Sequence, residues 1–333
     1  MGTIVITKSS LNDSKRPLRY LENIDFNLGP YSIEQASQLL SGEFRGQITY
    51  KNSEYFNGYP EQIPYKKEVT KTSTKYIIEE IDFLNWWNDT ILNNTVEISI
   101  NDYIFTLKFA LANYIKNHNS TTGMTGQARD LNQKLSNDIA GKLAEIGFIK
   151  YAQTKYNVHL TADFALWDNS VFDNDYQYDI RTINDKEVNK NYAVEIKSTK
   201  LKSSIQDVRG SENFKCLIQA KLSLPEMHLL YFLDSLSVLE KISQTCCCEK
   251  SEILRNDYKT CEEMYNKYLS RFFEWKNLPV YISGLKYKED LFYIENGTLP
   301  CVNAEVSNRL FTFSTLLDNS NQAFENLFNK MYS

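Results

Sequence analysis

Glu195, Ile196 and Lys197, within the run from Asn191 to Lys200, place a carboxylate and an ammonium two residues apart in an otherwise apolar, β-rich stretch. Side chains of a strand alternate between faces, so Tyr192, Val194 and Ile196 share one face. Ala193, Glu195 and Lys197 share the other, with about 7 Å between Glu195 and Lys197 along the strand. Desolvating such a pair is costly unless a metal or a substrate engages it. One face goes to the core, and the other offers an oxygen ligand for a hard metal beside a cation. Three further acid-x-Lys triplets occur, Asp13–Lys15, Asp257–Lys259 and Glu274–Lys276, in polar or helical surroundings. The alternative for Glu195 and Lys197 is an edge strand carrying two solvated charges.

The elements that must position this pair are readable around it. Residues Tyr176 to Ile183 alternate as a strand bearing Asp179, and Asn184, Asp185 and Lys186 follow as a turn signal before the Glu195 strand, which predicts a hairpin. Neighbouring strands bring Asp179 and Glu195 within one metal's reach. Two converging carboxylates repel unless a cation neutralises them, so a Mg2+ site is expected. A third acid comes from residues 131–149, whose apolar positions Leu135, Ile139, Leu143 and Ile146 recur at helical spacing. Asp138, Gly141, Glu145 and Phe148 fall on an adjacent face. Gly141 costs a helix about 1 kcal/mol relative to Ala, which predicts close packing of that face against a sheet. Glu145 is either a site residue or a decoration of the helix edge.

A helix reading Gly-Lys-Leu-Ala-Glu, then a strand bearing an Asp, then Val-Glu-Ile-Lys-Ser-Thr resembles the core of the PD-(D/E)XK nuclease superfamily, of which type II restriction endonucleases are the largest enzymatic group. The resemblance covers roughly residues 130–235 and rests on short motifs. It implies an α/β fold, a mixed central β-sheet flanked by helices, with Mg2+ held by the Asp and the Glu. Asp179 matches the family's motif Asp, Glu195 and Lys197 match its Glu-x-Lys, and Glu145 matches the acid of the preceding helix. The chain departs from the family's common pattern in having Tyr178, not Pro, before Asp179. Asp163 and Asp175 compete for the motif position, but Asp163 belongs to an earlier strand and Asp175 to a polar turn.

These residue types suit phosphodiester hydrolysis, which needs a nucleophilic water, a sink for charge on the phosphoryl oxygens and protonation of the leaving 3′ oxygen. Mg2+ bound by Asp179 and Glu195, with the Ile196 carbonyl and waters, would act as Lewis acid and lower the pKa of a bound water. Lys197 would stabilise hydroxide or the transition state, and Glu145 would hold a second metal or orient a metal-bound water.

The chain has 333 residues and a formal net charge of −5. That length can bury a sizeable core, no stretch has the apolar length of a membrane span, and the first residues do not read as a signal peptide, so a cytoplasmic protein is expected. The six cysteines are then expected to be reduced, and the adjacent Cys246, Cys247 and Cys248 cannot easily chelate one tetrahedral Zn2+. The three histidines, His118, His159 and His228, lack ligand spacing, and there is no phosphate-binding Gly-rich loop ending in Lys-Ser/Thr, which excludes nucleases built on a His finger and an ATP motor. Local charge differs from the global balance, with eight basic residues against four acidic ones between Lys186 and Lys221. Lys200, Lys202 and Arg209 read either as DNA phosphate contacts or as a solvated charged loop.

Elsewhere, Asn213 to Leu222 reads as a helix, Met227 to Leu233 as a strand with His228 as a core-edge histidine at its start, and residues 235–275 as helical. Leu278 to Lys286 reads as a return strand, and Ala304 to Tyr332 as helical in part. Residues 126–333 form the expected catalytic domain. Residues 1–125 are an N-terminal accessory region suited to DNA recognition or dimerisation, and 117–129 is either a base-reading loop or a solvated linker. The expected protein is thus a Mg2+-dependent type II restriction endonuclease, a homodimer cutting double-stranded DNA. The alternatives are a nuclease of the same superfamily without sequence specificity, serving phage defence, repair or transposition, and a catalytically silent nucleic-acid-binding protein of that fold.

Overall fold

The computed structural model describes residues 3–7, 21, 27–43, 48–50, 53–56, 63–116, 131–164, 178–225, 228–235, 277–300 and 304–333. It is mixed α/β with several sheets. The chain divides into two compact units, Met1–Ser223 with Leu278–Ser333, and Leu224–Asn277.

The described strands are β1 (Thr3–Thr7), β2 (Ile48–Tyr50), β3 (Ser53–Phe56), β4 (Lys66–Val69), β5 (Thr74–Glu79), β6 (Thr95–Ile98), β7 (Leu160–Ala162), β8 (Ile180–Ile183), β9 (Lys186–Glu187), β10 (Val194–Lys200), β11 (Ile205–Arg209), β12 (Cys216–Leu222), β13 (Leu278–Tyr287), β14 (Phe292–Leu299) and β15 (Ala304–Phe313). The helices are α1 (Ile33–Glu43), α2 (Glu80–Trp86), α3 (Ile100–Lys116), α4 (Leu131–Tyr156), α5 (His228–Ser235) and α6 (Asn321–Tyr332).

The sheet that carries the site runs β10-β12-β13-β6, with β10 parallel to β12 and the other pairs antiparallel. Its last strand, β6, comes from the N-terminal third of the chain. Every residue of β12 is buried, because this central strand has neighbours on both edges and cover on both faces. That is why its run Cys-Leu-Ile-Gln-Ala-Lys-Leu lacks the alternation of a half-buried strand, and why the expected helix over 213–222 is instead a strand from Cys216. The converse error lies in the second unit. The apolar run expected as a strand from Met227 is the helix α5, opened by a buried His228 whose N–H reaches the Pro225 carbonyl at 3.1 Å. Short apolar runs do not distinguish the two states by periodicity. Residues 236–276, with Cys246, Cys247 and Cys248, lie outside the described residues, as does the stretch 117–129 read as a base-reading loop or a linker. β13 follows the expected return strand, and 304–333 is the strand β15 followed by α6.

α4 packs against β10, β12, β13 and β6 and beside β7, with Leu135, Ile139, Leu143 and Ile146 buried as their spacing predicts. At its C-terminal end, Phe148, Tyr151 and Tyr156 pack their rings against Phe324 and Phe328 of α6, with Phe148 stacked on Phe328. α6 is capped by the Ser320 hydroxyl, which accepts the Ala323 N–H at 3.2 Å. Close approach to the sheet is made at Gly147 and not at Gly141. A Cβ at Gly147 would meet Val280 Cγ1 at 2.7 Å, whereas one at Gly141 would meet nothing within 4 Å. The expected reason for Gly141 is therefore corrected.

The turn at Asn184 and Asp185 forms as expected, with both residues at positive φ, 47° and 65°, as a tight hairpin turn requires. Its partner strand, however, is β9, and β8 also pairs with β7. The expected hairpin between the Asp179 strand and the Glu195 strand is corrected: after β9 the chain passes through a 3-10 turn at Lys190–Tyr192 before entering β10 in a different sheet.

Gly147→Ala is expected to destabilise the fold by about 1–3 kcal/mol through overpacking against Val280. Gly141→Ala is expected to stabilise it by about 1 kcal/mol through helix propensity. Thermal unfolding of the two variants checks the assignment.

Candidate functional site

β10 is an edge strand of its sheet, and Val194 and Ile196 are buried while Glu195 and Lys197 are only partly so. This is the face separation expected from the two-residue spacing. Beyond that edge the N-terminal end of β8 delivers Asp179, whose Oδ2 accepts the Ile196 N–H at 2.6 Å. A carboxylate thus stands where a further strand would otherwise bond. The N–H and C=O of one strand residue point to the same side, so the Ile196 carbonyl faces the Asp179 edge too.

Glu145 reaches the same place from α4, and its carboxylate is buried. The Lys142 ammonium, one turn earlier, contacts both Glu145 oxygens at 2.9 and 2.8 Å and donates to the Asp163 carbonyl at 2.9 Å. Asp163 itself follows β7, and its N–H donates to the Asp179 carbonyl at 3.2 Å, so the two competing aspartates are cross-strand neighbours. It is the Asp179 side chain that bonds β10. Asp175 lies outside the described residues. On the other flank, the Lys197 ammonium bonds Glu195 Oε1 and stands 3.4 Å from Glu212 Oε2. Two charged partners, Lys142 and Glu212, were thus not assigned from sequence. Lys142 carried a signal, an acid three residues on along the helix, whereas Glu212 is brought in only by the turn between β11 and β12.

The electrostatics follow from crowding three carboxyls into a desolvated space. Burial, then the charge of Glu145, push the Asp179 carboxyl up to about 7 against the pull of the Ile196 N–H and the two lysines. Burial and Asp179 push Glu195 up to about 8, although Lys197 opposes this. Burial pushes Glu145 up to about 7, with Lys142 opposing and Glu195 and Asp163 adding to the rise. Burial alone would lower Lys197, but Glu195, Glu212 and Asp179 outweigh it and the ammonium is held above its ordinary value. Lys197 is therefore a cation at neutral pH and cannot take up a proton.

Among the described residues, no group of three or more His, Cys, Asp or Glu side chains stands arranged to hold a metal ion. Each carboxylate of the cluster is instead engaged by an internal donor, Lys197, Lys142 or the Ile196 N–H. The donor chemistry nonetheless fits a hard divalent cation. Asp179, Glu195 and Glu145 offer only oxygens, the Ile196 carbonyl adds another, and mutual repulsion among the acids is what a 2+ charge would relieve.

Several basic residues between Lys186 and Lys221 have internal partners, among them Lys186, whose ammonium stands 4.2 Å from the centre of the Tyr332 ring. Lys197 pairs as above, Lys215 meets Glu289 at 3.0 Å, and Lys221 is fully buried against Glu43. Lys200 ends β10 and Lys202 lies in the turn after it, both exposed and within five residues of Lys197, while Arg209 is exposed at the end of β11. No helix among the described residues is long and apolar enough to cross a membrane.

The three acids have folded pKa values above their ordinary ones, so the folded state holds more protons than the unfolded chain between about pH 4 and pH 8. The stability they contribute is present at low pH and lost as pH rises through 7 to 8. Metal-free protein is expected to lose on the order of a few kcal/mol across that window, and Glu195→Gln is expected to flatten the profile. Denaturant melts at pH 5, 6.5 and 8 measure it, and a stability that rises with pH would contradict the site's electrostatics.

No protein-family profile matches the chain, and no curated protein and no solved structure matches it either.

Proposed function

We propose that the protein is a Mg2+-dependent endodeoxyribonuclease of the PD-(D/E)XK type, acting as a type II restriction enzyme on a short duplex sequence. The observation that carries this reading is the convergence of Asp179, Glu195, Lys197 and Glu145 at one edge of β10, joined by the 2.6 Å bond from the Ile196 N–H to Asp179. The chain's separately read helix, strand and Glu-x-Lys run meet at one place, and they do so with the residue types hydrolysis needs.

Asp179 and Glu195 are the residues to hold Mg2+, with the Ile196 carbonyl on the same edge and Glu145 beside them. When bound, Mg2+ supplies Lewis acidity and acidifies coordinated water. Lys197, kept cationic by Glu195 and Glu212, stabilises negative charge on the phosphoryl oxygens and does not act as the base. Lys142 neutralises Glu145 and, through the Asp163 carbonyl, fixes the end of β7 against the helix. Lys200 and Lys202 continue the chain from Lys197 on the exposed side and are the nearest cations in sequence for DNA phosphates flanking the scissile one. Cleaving both strands of a palindrome calls for two such sites related by a two-fold axis, hence a homodimer.

Purified protein incubated with phage-sized duplex DNA is expected to give discrete fragments with Mg2+ and none with EDTA. Glu195→Ala and Lys197→Ala are each expected to reduce cleavage at least about 10²-fold while duplex binding persists. Intact DNA under both conditions, or full activity in either variant, would overturn the reading.

A further inference from the structure

Gln219 lies in the middle of β12, fully buried, and neither its amide oxygen nor its amide nitrogen has a hydrogen-bond partner among the described residues. A buried amide carries one acceptor and two donors, and leaving all of them unmade is among the costlier arrangements a core can hold. Native structures tolerate such a group where a water or a functional partner completes it.

Its place in the sheet says which partner. In the parallel ladder Gln219 stands in register with Lys197, so the two side chains leave the same face from adjacent strands. On the β13 side its register partner is Gly284, which offers no side chain. Between Gln219 and Ala220 the pairing with β13 slips by one residue, with Ser283 as the extra one, and bulges of this kind re-aim side chains beside functional sites. Thr199, the next residue on the Lys197 face of β10, has a buried hydroxyl that also lacks a partner among the described residues. The Lys197 ammonium has three donors. Glu195 takes one, and Glu212 provides an ion pair at 3.4 Å in which its Oε2 makes no hydrogen bond.

We propose that Gln219 is a positioning residue for Lys197, holding the ammonium in line through buried water shared with the Thr199 hydroxyl. The orphaned amide, the orphaned hydroxyl and the incompletely bonded ammonium together supply the two to four polar partners that an internal water needs. Gln219 touches neither metal ligand nor substrate in this account. It acts by restricting an otherwise mobile four-carbon chain, adding to the hold that Glu195 and Glu212 have on the ammonium. The consequence for catalysis rests on the nuclease reading, whereas the water and the ordering of Lys197 do not.

High-resolution crystal structures of the wild-type protein, Gln219→Met and Thr199→Val test it, with cleavage kinetics on the same samples. The expected wild-type structure has an ordered water within hydrogen-bond distance of the Gln219 amide, bridging to Lys197 or Thr199. In Gln219→Met, close in volume, that water is lost, the Lys197 side chain becomes disordered, and kcat falls about 10-fold with KM for DNA unchanged. Thr199→Val, which removes one hydroxyl, gives a smaller loss of the same kind and keeps the test open if Gln219→Met does not fold. A dry Gln219 bonded directly to the main chain, or a Lys197 equally ordered in both variants, would overturn the inference. If the wild-type protein cleaves nothing, the nuclease reading fails while the crystallographic comparison still decides this one.

Discussion

A single hydrogen bond organises the site: the Ile196 N–H to Asp179 Oδ2, 2.6 Å long, across the edge of β10. An edge strand presents main-chain groups that need partners, and here a side-chain carboxylate takes one of them. The bond ties the β7-β8-β9 sheet to the β10-β12-β13-β6 sheet without a shared ladder. It also fixes where an acid stands relative to Glu195, whose peptide precedes that N–H. Because α4 packs on the second sheet and holds the end of β7 through Lys142 and the Asp163 carbonyl, the third acid, Glu145, is delivered to the same edge.

The cost of this convergence is electrostatic. Three carboxyls share a desolvated space, and their pKa values rise to between about 7 and about 8. Two lysines limit the damage from opposite flanks, Lys142 on Glu145 and Lys197 on Glu195. Replacing a buried set of charges with apolar side chains is often neutral for stability, and a cation is the ligand that would relieve the repulsion among these acids under the proposed function. Lys221 and Glu43 illustrate the contrast. Buried and paired with each other, they join α1 to β12.

Much of the placement of the candidate site's residues was legible in the sequence, because the informative positions lie in short local patterns. The two-residue spacing of Glu195 and Lys197 put both on the partly exposed face of β10, and the three- and four-residue spacing of α4 placed Glu145 next to the buried stripe. What failed depended on tertiary pairing. β8 turns back onto β9 rather than β10, and nothing in the turn residues 184–185 specifies how long the returning strand will be. β12 read as a helix because a central strand with both faces covered shows no alternation. The roles of Lys142 and Glu212 depend on which carboxylates come near them, and the reason for Gly147 depends on Val280, a strand more than a hundred residues away.

The most direct test of a cation site at this edge is calorimetric titration of metal-free protein with Mg2+ at pH 7, repeated in buffers of different ionisation enthalpy so that proton exchange is counted. Carboxyls raised to about 7 and about 8 are partly protonated at that pH, so Mg2+ binding is predicted to release on the order of one proton, and Glu195→Gln to weaken both binding and release. Absence of binding, or binding with no proton released and no dependence on Glu195, would contradict the account.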